Sequence, residues 1–82
     1  MYFFEFNDSL KRWELYNMAS NKMLDSCMRL PQHLNFEVDN IKNRLMVVCD
    51  DCDENISVYS TDKNKANINS KYLCTKCAIK YN

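Results

Sequence analysis

The stretch Asn7–Pro31, NDSLKRWELYNMASNKMLDSCMRLP, decides how the first half of this 82-residue chain is read. Asn7, Asp8 and Ser9 carry short side-chain acceptors of the kind that satisfy the unpaired N–H groups at a helix start. Leu10, Trp13, Tyr16, Ser20, Met23, Leu24, Cys27 and Met28 follow at three- and four-residue steps, the spacing of one helical stripe. Lys11, Arg12, Glu14, Asn21, Lys22 and Asp25 fall mainly off that stripe. Pro31 lacks an N–H and disfavours helical geometry at Leu30, which supplies a stop. The pattern predicts an amphipathic helix of roughly 20 residues, set in an N-terminal packing region spanning residues 1–42.

Beyond Pro31 the apolar period shortens. Phe36 and Val38 alternate with polar residues, DNIKN (39–43) has turn chemistry, and LMVVC (45–49) is a β-rich apolar run. NISVYS (55–60) and KYLC (71–74) read as further short strands, separated by the polar loop TDKNKANINS (61–70). No internal repeat is read apart from a doubled cysteine spacing.

A chain of this length buries only about 60–65% of the surface its unfolded form exposes, so its core needs a staple. The apolar share of 46% and charged share of 27% are those of a globular protein. No apolar run reaches the ~20 residues that cross a bilayer. The start, MYFFEFND, has no basic residue ahead of its apolar ones and is interrupted by Glu5, so it does not read as a signal peptide. An intracellular setting, nuclear or cytoplasmic, is therefore expected, with thiols kept reduced. Eleven acids balance eleven bases, so no global field draws the chain to nucleic acid or anionic lipid. The absence of Gly and the wealth of Asn, Lys, Tyr and Phe suggest an AT-rich coding genome, such as that of a large DNA virus.

Cys49, Cys52, Cys74 and Cys77 form the pattern C-x2-C-x21-C-x2-C. Two residues between thiols let a tight turn aim both sulfurs at one ion, and a second pair across a hairpin completes a tetrahedron. Zinc suits such a set, since it accepts four thiolates and has no redox chemistry of its own. With all four ligands supplied by protein, no position is left for a reacting water, so the expected cofactor is one structural Zn²⁺. An iron site, paired disulfides and a redox pair are the alternatives. Asp50, Asp51 and Asp53 crowd the first pair with negative charge, which opposes a stable free thiolate. The fifth cysteine, Cys27, reads as core, and His33 alone gives it no second metal site. No Ser/His/Asp set, phosphate-cradling Gly loop or paired-carboxylate pocket can be assembled, so an enzyme is not expected.

The segment Cys49–Asn82 resembles the GATA-type zinc finger, in which a Cys pair, an irregular hairpin and a second Cys pair opening a helix enclose one zinc. Leu73, Cys74, Cys77, Ile79, Lys80 and Tyr81 fit that frame, with Thr75 and Ala78 where the family has Asn and Gly. The resemblance implies contact with nucleic acid in transcription regulation. Lys63, Lys65, Lys71, Lys76 and Lys80 are the candidate contacts, with Arg44 at the edge.

The resulting expectation is a small α+β protein: an N-terminal amphipathic helix beside a four-cysteine zinc-ribbon or treble-clef module at residues 43–82. Its favoured function is nucleic-acid binding in transcription. The alternative is a protein-interaction module, a small subunit of a viral, transcription or assembly complex. There Trp13 and Tyr16 on the aromatic helix would take a protein partner or a second copy. Neither a membrane nor a small-molecule substrate is expected.

Overall fold

In the computed structural model, which describes residues 1–62 and 65–81, Asn7–Pro31 is not a helix. The chain folds as antiparallel strands: β1 (Tyr2–Asn7), β2 (Arg12–Asn17), β3 (Lys22–Cys27), β4 (Phe36–Asp39) and β5 (Arg44–Val47). These form one five-stranded sheet in the order β3-β2-β1-β5-β4. A two-stranded ribbon, β6 (Tyr59–Ser60) and β7 (Tyr72–Leu73), follows. The α-helix among the described residues is the single turn α1 (Thr75–Ala78), continued by a 3-10 turn at Ile79–Tyr81. The α+β expectation is thereby corrected to a small β-rich fold, whereas the strands expected around Phe36–Val38 and Leu45–Val47 are present.

The turn chemistry explains the correction. Three segments share one pattern: FNDSLKRW (6–13), YNMASNKM (16–23) and VDNIKNRL (38–45). Each runs apolar residue, Asn or Asp, three variable residues, Lys or Asn, a base, then an apolar residue. In each, the Asn or Asp side chain accepts N–H groups of its own loop: Leu10 to Asn7 Oδ1 (3.0 Å), Ala19 to Asn17 Oδ1 (2.9 Å), and Ile41 and Lys42 to Asp39 Oδ1 (3.1 and 3.2 Å). In each, the last loop residue is left-handed, with φ of 55° at Lys11, 55° at Asn21 and 54° at Asn43. That conformation turns the chain back on itself and ends any helix. The acceptor at Asn7 is thus real, but it caps a turn.

Side-chain alternation then sorts the faces. Tyr2, Phe4, Leu15, Cys27 and Val47 point to one side and are buried, joined by Leu34 and Tyr72 from the segments crossing over them. Leu15, which the helical stripe leaves out, is fully buried, while Leu10, Met23 and Met28 on that stripe are exposed. Trp13 and Tyr16 fall on opposite sides of the sheet. Trp13 meets Phe6 edge-on at 5.1 Å, and Tyr16 stacks on Phe3 at 5.4 Å. A bulge where the β2–β3 register shifts between Leu15 and Tyr16 breaks strict alternation in β3.

Two outcomes separate this sheet from a helix. Leu15→Ala destabilises by about 2–5 kcal/mol, whereas Leu10→Ala changes stability by about 0.5 kcal/mol or less, read from urea unfolding of the zinc-loaded chain. Lys11→Gly removes the Cβ cost of a left-handed residue and raises the melting temperature by about 4–8 °C, corresponding to about 1 kcal/mol.

Candidate metal centre

The site grows out of the sheet. Past β5 the chain runs on through Val48, which bridges Ile56 and donates its N–H to the Asn35 carbonyl (2.9 Å). Ser57 closes this arm on the Val47 carbonyl through both its N–H (2.9 Å) and its hydroxyl (2.7 Å). The first cysteine pair therefore sits on a tight turn at the end of a sheet strand. The second pair follows β7, with Cys74 capping and Cys77 inside α1.

Asp50 joins the two turns. Its N–H donates to the Tyr72 carbonyl (2.8 Å), and its Oδ2 accepts the Tyr72 N–H (2.9 Å). Val58 to the Leu73 carbonyl (2.8 Å) and Thr61 to that of Lys71 (3.0 Å) extend the same seam. Lys71 Nζ pairs with Asp51 at 2.8 Å across it.

This framework brings the sulfurs of Cys49, Cys52, Cys74 and Cys77 within 4.8 Å of one another. The Cys52 and Cys74 sulfurs are 3.8 Å apart. A tetrahedron of four sulfurs around zinc, with bonds of about 2.3 Å, has edges of about 3.8 Å, so the donor set fits one zinc ion. Cys49, Cys74 and Cys77 are buried together with Leu73, and Cys52 is half-buried. The four cysteines can coordinate one metal ion, a structural zinc by their chemistry, as the spacing predicts.

Backbone N–H groups supply the first layer of charge stabilisation. Those of Glu54 and Asn55 lower the Cys52 thiol, and that of Cys77 lowers Cys74 to about 6. Burial pushes Cys77 up to about 12. Four thiolates in this space would repel one another, and a divalent cation is what lets them ionise together.

Two residues complete the site: Asp53, marked in the sequence only for its charge, and Asn55, which the sequence reading did not single out. Asp53 follows the first pair in the left-handed region, with φ 55°, which rolls the chain so that the next N–H groups face Cys52. Asn35 Nδ2 donates to its carboxylate. The Asn55 side-chain amide lies 3.8 Å from both the Cys52 and the Cys74 sulfur and donates toward them, linking the two pairs. An amide three residues after the second cysteine is the available sequence signal, and it is faint, because Asn is also an ordinary turn residue.

The basic candidates are scattered. Lys76 and Lys80 are exposed on α1 and the 3-10 turn, Lys65 is exposed on the loop before β7, and Lys71 is half-buried against Asp51. Lys63 lies outside the described residues. Arg44 sits in the sheet, 3.4 Å from Asp39 and over the Phe3 ring at 4.2 Å.

No protein-family model, curated protein or solved structure matches this chain. The four-cysteine group does not by itself identify a GATA-type finger. No helix of the described residues is long and apolar enough to cross a membrane.

Asn55→Ala should weaken zinc by about 10–100-fold, the usual scale for losing a group that supports a metal ligand. Competition with a chromophoric chelator measures it. Native mass should show one zinc per chain, and EDTA should remove both the metal and the near-ultraviolet circular dichroism of the half beyond Val48.

Proposed function

We propose that this chain is a zinc-stapled protein-interaction module, a small subunit that carries out no chemistry of its own and docks on a basic protein surface through its sheet. By the strand register, the side of the sheet away from the core carries Glu5, Glu14, Glu37 and Asp39 against Arg12 and Arg44. The observation that carries the reading is the direct cross-strand pairing of Glu5 with Glu14. Like charges opposite each other cost stability, and such costs are tolerated where a surface has a use. Glu14 is held in place: one carboxylate oxygen accepts from Tyr16 (2.9 Å) and the other from Asn7 Nδ2 (3.2 Å).

The same surface argues against the nucleic-acid alternative on this side. Its carboxylates repel phosphate, and Phe3, the central ring, is buried under its neighbours and closed to a stacking base. Lys71 already holds Asp51. Lys76 and Lys80 are the exposed basic pair on which the alternative rests.

A labelled Lys/Arg-rich peptide, a generic DNA duplex and a single-stranded RNA, each titrated at low salt, separate the readings. The peptide should bind and Glu5→Lys should weaken it about ten-fold, while the same change stabilises the fold by roughly 0.2–1 kcal/mol through relief of repulsion. DNA and RNA should bind no tighter than the non-specific range of about 10⁻⁴–10⁻⁶ M. Tight, salt-sensitive DNA or RNA binding abolished by Lys76→Glu with Lys80→Glu, with no peptide binding, would overturn this assignment.

A further inference from the structure

At the end of the sheet remote from the metal, the two hairpins part. The β1–β5 ladder covers only Phe3↔Met46 and Phe4↔Leu45, while β1–β2 runs on to Asn7↔Arg12 and β4–β5 to Asp39↔Arg44. A groove of about 350 Å³ opens between them, floored by Phe6, Trp13, Val38 and Leu45. Phe6 is 40% exposed and Val38 60%, on the side of the sheet that elsewhere forms the core. The hairpin tips flanking it carry Leu10 at 63% and Ile41 at 92% exposure.

The walls of the groove are oppositely charged. The β1–β2 hairpin contributes Glu5 and Asp8 to the lining, and the β4–β5 hairpin contributes Lys42 and Arg44. Arg44 also holds Asp39, so Lys42 is the more available base. Lys11 and Arg12, on the acidic hairpin, lie outside the lining. A two-fold axis running along the groove would set each acidic wall against the partner's basic wall and bring each projecting tip toward the partner's apolar floor. Self-complementarity of this kind is what an isologous interface requires.

We infer that the inter-hairpin groove is a homodimer interface, in which a second copy of this chain seats Ile41 over Phe6, Trp13 and Val38 and pairs Asp8 with Lys42. It extends the protein-interaction reading to a second surface and rests on that reading only in that both are docking surfaces. Glu5 borders both surfaces, and the pairing leaves Glu14 and Glu37 on the acidic side of the sheet outside the groove lining.

Sedimentation equilibrium and native mass of the zinc-loaded chain test it. A dimer is expected with a dissociation constant on the order of 10–100 µM, as befits a small interface. Ile41→Asp, at a position too exposed to affect folding, should weaken it at least about ten-fold. Lys42→Glu should weaken it too, and adding Asp8→Lys to Lys42→Glu should restore it. A chain monomeric at about 1 mM overturns the inference, whether or not its tips then bind vesicles containing anionic lipid. So does a dimer indifferent to Ile41→Asp and to both charge reversals, which would pair elsewhere, for example along the free edge of β3 or β4. Glu5 lines the groove as well, so Glu37→Lys, on the acidic side and outside the lining, is the variant that lets the peptide titration and the dimer fail separately.

Discussion

Tyr72 is where the two halves of the molecule are held to each other. Its ring is fully buried, packs against Tyr2 of the first strand at 4.8 Å, and donates its hydroxyl to the Asn67 carbonyl at 2.6 Å. Burial pushes its phenol well above the ordinary range, so it stays neutral and keeps that bond. Its backbone is clamped from the other side by Asp50, which donates to its carbonyl and accepts from its N–H. One residue therefore joins the sheet core, the polar loop before β7 and the first cysteine turn. It lies two positions before Cys74, so the same contacts that close the core bring the second pair of sulfurs to the first.

That arrangement shows how a short chain without glycine makes its tight turns. Left-handed residues are needed at Lys11, Asn21, Asn43 and Asp53, and three of the four are Asn or Asp. These tolerate the conformation better than other residues with a Cβ, because a short polar side chain bonds locally. The first three make hairpins and the fourth makes the metal turn. Turn chemistry of one kind thus builds both the scaffold and the site.

The surface divides by position. The metal end carries Asp51, Asp53 and Glu54 beside exposed Lys76 and Lys80. The open face of the sheet is acidic, and the hairpin end is apolar between walls of opposite sign. Among the described residues, the basic side chains are not gathered into one stripe, the form that phosphate recognition takes. The acidic sheet face and the apolar hairpin end are the surfaces on which the proposed protein docking rests.

The metal centre was legible in the sequence because its determinants are local. Two residues between cysteines dictate a turn, and thiolate chemistry dictates the ion, whatever the rest of the chain does. The β-rich runs at Phe36–Val38 and Leu45–Val47 were legible for the same reason. The N-terminal half was not, since Leu10, Trp13, Tyr16 and Met23 fall at helical steps in the sequence yet lie on a hairpin tip, on opposite faces of β2 and on β3. An Asn acceptor serves a helix start and a hairpin turn equally well, and its own sequence does not say which follows. Burial made that choice. A helix over Asn7–Leu30 would leave Leu15 off its apolar stripe, whereas a strand places it opposite Phe4 in the core that Tyr2 and Tyr72 close, and only contacts between distant residues could decide between them.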